Sequence, residues 1–180
     1  MSTFRRGVTR LKERAVPFLT WGGVILGGGL LFTHHFYSWH ATFGPSMYPT
    51  MVQKGQWAIT SRAYRHGKGL RVGDLVMYKN PLLRETATKR VLGMPGDFVC
   101  KDAPAPSWQV GKGDGEAEMI RVPEGHIWVV GDNLPWSRDS RTYGPIPMGL
   151  VTGKVIMRGK SFYSAGWLRN TLEPAKFSDD

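Results

Sequence analysis

The stretch FGPSMYPTM, Phe43 to Met51, sets Ser46 directly after Pro45 and three residues before Pro49. Proline fixes its own φ, so the loop either turns the chain or holds one hydroxyl in a set posture for nucleophilic attack. A serine hydroxyl needs a base to take its proton, and a histidine backed by a carboxylate is the usual arrangement. None of the five histidines suits that part. His34, His35 and His40 lie in or beside a long apolar run, His66 sits in the turn-like YRHGKGL, and His126 begins an apolar strand pattern. No two of them have the i, i+4 spacing of a metal-binding helix. Cys100 is the sole cysteine, so there is neither a disulfide framework nor a zinc quartet, and no cofactor or metal is called for.

A lysine can serve as the base when its amine is neutral. That requires lowering its pKa from about 10.4, at about 1.4 kcal/mol per unit, in a site that keeps water away. Lys89 in TKRVLGMPGD is the best placed, entering the apolar VLGM just before the turn Met94-Pro95-Gly96-Asp97. Lys54, Lys68, Lys79, Lys101 and Lys112 each neighbour Gly, Asn or Asp in loop-like surroundings. Residue types alone leave a second reading of Lys89 open, a solvated residue at a strand edge.

These side chains need elements to carry them. Ala15 to Thr33, AVPFLTWGGVILGGGLLFT, runs for 19 residues without a charge. As a helix it would reach about 28 Å, against a bilayer hydrocarbon core of about 30 Å. The bulky HHFYSWHATF that follows has no small-x-small cleavage site, so residues 15–34 are expected to stay as a transmembrane anchor. Phe36, Tyr37 and Trp39 suit a membrane–water interface. The segment 1–14 carries Arg5, Arg6, Arg10, Lys12 and Arg14 against Glu13, and no Lys or Arg occurs between His34 and Gln53. That asymmetry keeps the N-terminus inside and sends residues 35–180 across. Gly23 and Gly27 form a G-x-x-x-G spacing that would let a partner helix approach closely.

The whole chain counts 24 Lys+Arg against 14 Asp+Glu, a net +10. Outside the N-terminal segment its basic residues are scattered and not interleaved with aromatics, which argues against a nucleic-acid groove. Beyond the anchor, QWAITSR, DLVMYK, KRVLGM, DFVCK, EMIRVP, HIWVVG and GKVIMRG are short apolar segments separated by Gly, Pro and Asp turns. The expected fold is therefore mainly β: one compact domain over residues 35–180. Residues 102–118, DAPAPSWQVGKGDGEAE, form an exposed connection, and a polar tail starts at Asn170.

Four blocks then resemble a family. GPSMYPTM, VGDLVMYKNP, KRVLGMPGD and VPEGHIWVVGDNLPWSRDSRTYGPIP are similar, in order and spacing, to the conserved boxes of type I signal peptidases. The resemblance implies a β-rich peptidase core with Ser46 as nucleophile and Lys89 as general base. It also implies supporting roles in the last block, where Ser137 helps to position the lysine amine and the pair Asp139 and Arg141 braces the site. Gly44 departs from many bacterial members, which carry a serine there whose hydroxyl donates to the oxyanion. Losing such a donor without replacement costs on the order of 3 kcal/mol. The Ser46 N–H remains the natural first donor.

Within the family, the GPSM form, the small size and the single anchor are most similar to the mitochondrial inner-membrane branch. That likeness implies precursor proteins with hydrophobic sorting signals as substrates, a second related peptidase subunit as partner, and a peptidase domain facing the intermembrane space. A bacterial-type signal peptidase and a non-catalytic subunit of a peptidase complex are the alternatives.

Overall fold

The computed structural model describes residues 21–83, 85–101 and 118–170, in two compact units that divide after Ser38. The basic segment 1–14, the first six residues of the expected anchor, residues 102–117 of the expected connection and the tail from 171 lie outside the described residues.

In the first unit, residues 21–36 form one helix, α1. Its apolar side chains are exposed all round, with Trp21, Ile25, Leu31 and Phe32 among them. The Thr33 hydroxyl donates back to the Leu30 carbonyl at 3.0 Å, which keeps that polar group satisfied on an apolar surface. Among the described residues, no helix is long and apolar enough to cross a membrane.

The second unit is built on a curled antiparallel sheet. Its strands are β1 (Tyr37–Thr42), β2 (Gln56–Ser61), β3 (Leu75–Lys79), β4 (Thr86–Gly93), β7 (His126–Val130), β8 (Ile146–Pro147), β9 (Val151–Gly159) and β10 (Gly166–Trp167). They run in the order β1-β2-β9-β3-β4-β7-β8, with β10 paired to β9. β5 (Phe98–Cys100) and β6 (Met119–Arg121) form a separate two-stranded sheet. Each apolar segment read from the sequence overlaps one of these strands. Register shifts at Ile59/Thr60, Met77/Tyr78 and Val91/Gly93 bend the main sheet, since a bulge adds local twist.

Three apolar clusters hold the domain. The largest gathers Val76, Tyr78, Val91, Ile127, Val129 and Ile146. A second packs Met47 and Met51 with Ala58, Leu75, Met77 and Val155. The third sets Trp128 against Val99, Val122 and Val130, joining the small sheet to the large one. The turn Met94 to Asp97 closes as the sequence suggested. The Asp97 amide donates to the Met94 carbonyl at 3.0 Å, the Met94 amide donates to the Asp97 carboxylate at 2.8 Å, and Gly96 sits at φ +90°, a conformation that favours glycine.

Candidate active site

The Ser46 loop is held from both sides. Met47 and Met51 bury their side chains in the second cluster, and the Met51 amide donates to the Met47 carbonyl at 2.7 Å. From the other side, Asn133 donates its backbone N–H to the Ser46 carbonyl and its side-chain amide to the Pro45 carbonyl, both at 3.0 Å. Gly131 makes that approach possible: a Cβ there would lie 2.5 Å from the Ser46 carbonyl oxygen and collide with the Ser137 hydroxyl. The hydroxyl of Ser46 is thus mounted on a loop whose backbone is tied down at each end, which lowers the entropy lost on reaction.

Lys89 comes to this hydroxyl from mid-β4, where it pairs in register with Val76. Its Nζ is hydrogen-bonded to Ser46 Oγ at 2.5 Å, although the two residues are 43 positions apart in sequence. The residue is 4 % exposed. Burial pulls the amine down from 10.5 to about 8, against the attraction of Asp139 and Asp132, while Arg141 repels the charged form and so helps the lowering. A solvated strand-edge lysine would lack both the burial and the contact.

Those two carboxylates are already committed. Asp139 is buried. Burial pushes its carboxyl up, but hydrogen bonds from Arg141, the Gly131 amide and Ser137, with the charge of Arg141, outweigh that and hold it below the ordinary value. Arg141 grips it at both oxygens, Nε to Oδ1 at 2.9 Å and Nη2 to Oδ2 at 3.0 Å. Asp139 also caps the short helix α2 (Ser140–Tyr143) through the Arg141 amide. The Ser137 hydroxyl donates to Asp139 Oδ2 at 2.5 Å. Ser137, Asp139 and Arg141 are brought together as one cluster, linked to the Ser46 loop through Gly131.

Sequence reasoning passed over a matching clamp. Arg90, next in sequence to Lys89, binds Asp132 at both oxygens (2.8 and 2.7 Å) and reaches Thr50 Oγ1 at 3.3 Å and the Gly73 carbonyl at 2.8 Å. Burial raises the Asp132 carboxyl, yet hydrogen bonds from Arg90 and Thr50 and the charge of Arg90 bring it net below its usual value. Arg90, Asp132 and Asn133 all stand inside the quoted blocks. The available signal was a charged pair flanking the candidate base, in KR and GDN.

Gly44 lies at φ +100°, with open space where a Cβ would project, and its N–H donates to the Gln53 carbonyl at 3.0 Å. Its amide is therefore spent, and a serine side chain would need a different backbone there. Among the described residues no acceptor engages the Ser46 N–H, which leaves it available to an oxyanion.

Ser46 and Lys89 open into a cleft of about 570 Å³, walled by β1, the Ser46 loop and Glu85 to Lys89. β3 pairs with β4 from Leu75↔Arg90 to Lys79↔Thr86, whereas β7 pairs with β4 only from Arg90 onward. The edge of β4 over Thr86 to Lys89 that faces away from β3 has no strand partner among the described residues. An unpaired edge beside a nucleophile and a base can accept an extended peptide by main-chain hydrogen bonding. His40 also lines the cleft, and burial together with the charge of Arg62 lowers its pKa, so it stays neutral near pH 7.

A buried lysine amine on a serine hydroxyl, beside a cleft of about 570 Å³ in a curled β domain, is an arrangement able to carry out nucleophilic chemistry. The family model for signal peptidase, peptidase S26, matches residues 17–105 and 101–159, and the chain belongs to that family; its activity is that of a serine peptidase. More particularly, the chain is similar to mitochondrial inner membrane protease subunit 1 of Mus musculus, 37% identical over 138 residues, covering 76% of this chain and 78% of that protein. It is 36% identical over 163 residues to the protein of the same name in Saccharomyces cerevisiae, covering 79% and 86%. It is also 36% identical over 120 residues to mitochondrial inner membrane protease subunit 2 of that yeast, covering 63% of this chain and 62% of that one.

Proposed function

We propose that the chain is a processing peptidase of the mitochondrial inner membrane in which Ser46 is the nucleophile and Lys89 the general base. The observation that carries this is the 2.5 Å contact between the buried Lys89 amine and the Ser46 hydroxyl. A precursor segment binds as an extended strand along the free edge of β4. Its arrival excludes water from the cleft and favours the neutral amine further. The amine takes the Ser46 proton as Oγ attacks the scissile carbonyl carbon, and the Ser46 N–H supports the negative oxygen that forms. The resulting ammonium then gives its proton to the departing amine, leaving an acyl-serine. Next, the neutral amine takes a proton from water as that water attacks the ester, and returns it to Ser46 as the acid leaves.

The apolar run from Ala15 through α1 serves as a single membrane span, with the basic N-terminus in the matrix and the peptidase domain in the intermembrane space. Substrates are membrane-tethered precursors cut beside a hydrophobic sorting segment. Enzyme and substrate then meet in two dimensions at raised effective concentration. The relatives named subunit 1 and subunit 2 support a second, related peptidase chain as partner.

Ser46→Ala and Lys89→Met are each expected to reduce precursor cleavage at least about 10³-fold, as removal of a nucleophile or its base does elsewhere. The measurement is the appearance of new precursor N-termini with the purified assembly, alongside circular dichroism to establish folding. Normal cleavage by either folded variant would sink the assignment.

A further inference from the structure

Among the described residues lining the cleft, Glu85 brings the one exposed full charge. It stands at the base of the β3–β4 turn, where its carbonyl accepts the Asn80 amide at 2.9 Å while its side chain is exposed. The described ion pairs join Arg90 to Asp132, Lys101 to Glu118, Arg141 to Asp139 and Lys154 to Asp74, and none of them takes up the Glu85 carboxylate. His40 is neutral near pH 7 and Lys89 is buried at the inner end. Among the described residues lining the cleft, Glu85 is therefore the exposed charged side chain that a bound segment meets.

Position makes that charge selective. Glu85 precedes Lys89 by four residues, about 13 Å along an extended strand at about 3.3 Å per residue. A peptide laid beside this edge with its scissile carbonyl at Ser46 brings its residue about four positions from the cut level with Glu85. We infer that Glu85 selects substrates by charge, favouring Lys or Arg at that position and disfavouring Asp or Glu; this rests on the β4-edge binding proposed above. At physiological ionic strength exposed charges farther apart than about 8 Å are largely screened, so distant cations weigh little at this position. The pair is solvent-exposed, which limits the preference to about five-fold in kcat/KM for Lys over Glu.

The test uses the full-length protein, affinity-purified in mild detergent with its bound partners. Its substrates are quenched peptides identical except for Lys, Gln or Glu at each of positions two to six on either side of the cut. The expected result is one position at which the Lys/Glu ratio is about five, falls to about one in Glu85→Gln, inverts in Glu85→Lys, and collapses toward one at 1 M salt. A ratio near one at every position, or the same ratio in the parent and Glu85→Lys, overturns the inference. Ser46→Ala separates the two proposals. If it abolishes cleavage of all peptides while the ratio ignores Glu85, the serine–lysine chemistry stands and this inference falls. If it still cleaves, the chemistry itself falls.

Discussion

Val76 pairs in register with two lysines, Lys89 on β4 and Lys154 on β9, and the two have opposite surroundings. Lys154 holds Asp74 Oδ1 directly at 2.7 Å and lies 5.0 Å from the centroid of the Tyr64 ring. Lys89 has two carboxylates close enough to feel, yet both belong to arginines, Asp139 to Arg141 and Asp132 to Arg90. At Lys154 a counter-charge in contact stabilises the ammonium. At Lys89 the partner is a neutral hydroxyl, so burial prevails and the amine approaches neutrality at working pH. Both stand in one sheet, Lys89 buried and Lys154 partly so; what differs besides is who owns the nearby carboxylates.

The largest effect expected from breaking this contrast falls on the charged side. Asp74→Asn strips Lys154 of its counter-charge while the lysine stays mostly enclosed. Removing one member of such a pair costs about 3 kcal/mol. Urea denaturation of the full-length protein in detergent micelles measures it, and the pH dependence of cleavage by the folded fraction should not move. A cost well under 1 kcal/mol would mean that the ion pair does little to hold β3, β9 and the Asp74 turn together.

Lys89→Met tests the neutral side, with the opposite sign. Lowering the amine from 10.5 to about 8 on folding costs about 3 kcal/mol below pH 8, at about 1.4 kcal/mol per unit. Between pH 8 and 10.5 the unfolded chain binds the proton that the folded chain has released, so the stability of the parent rises across that window. The methionine variant has no such cost. It should be inactive yet more stable than the parent by up to about 3 kcal/mol at pH 7, an advantage that fades by pH 10.5. Equal stabilities at pH 7 and pH 10 would show that the lysine pays nothing for its burial.

Much of this contrast could not be read from the residues alone. The strands are legible because segments such as HIWVVG and GKVIMRG are apolar runs closed by turn residues. β8 and β10, at two residues each, carry no period, and β1 follows α1 with no turn signal between residues 36 and 37. Ser46 was legible as a posed hydroxyl, but Lys89 kept two readings, since local sequence cannot report burial against a strand 13 positions away, at Val76, or a contact with Ser46 across 43. The Arg90–Asp132 clamp spans 42 positions and Asn133 reaches Pro45 across 88, contacts that no spacing rule anticipates. Ser137 was placed beside the lysine amine by resemblance, and the bond its hydroxyl donates to Asp139 was not anticipated.

Arg141 offers the finest adjustment of the comparison. It braces Asp139, Leu134 and Ser137, but it also repels the ammonium of Lys89 and neutralises a carboxylate that attracts it. Arg141→Gln makes Lys89 more like Lys154 by freeing Asp139 to stabilise the charged amine. The acidic limb of kcat/KM, expected near pH 8 in the parent, should therefore move upward by roughly one pH unit. Cleavage would fall about ten-fold at pH 7 and recover toward the parental rate at pH 10. A loss of the same size at every pH would instead make bracing the arginine's whole role. The limb's position thus separates an electrostatic contribution from a mechanical one in a way that activity at a single pH cannot.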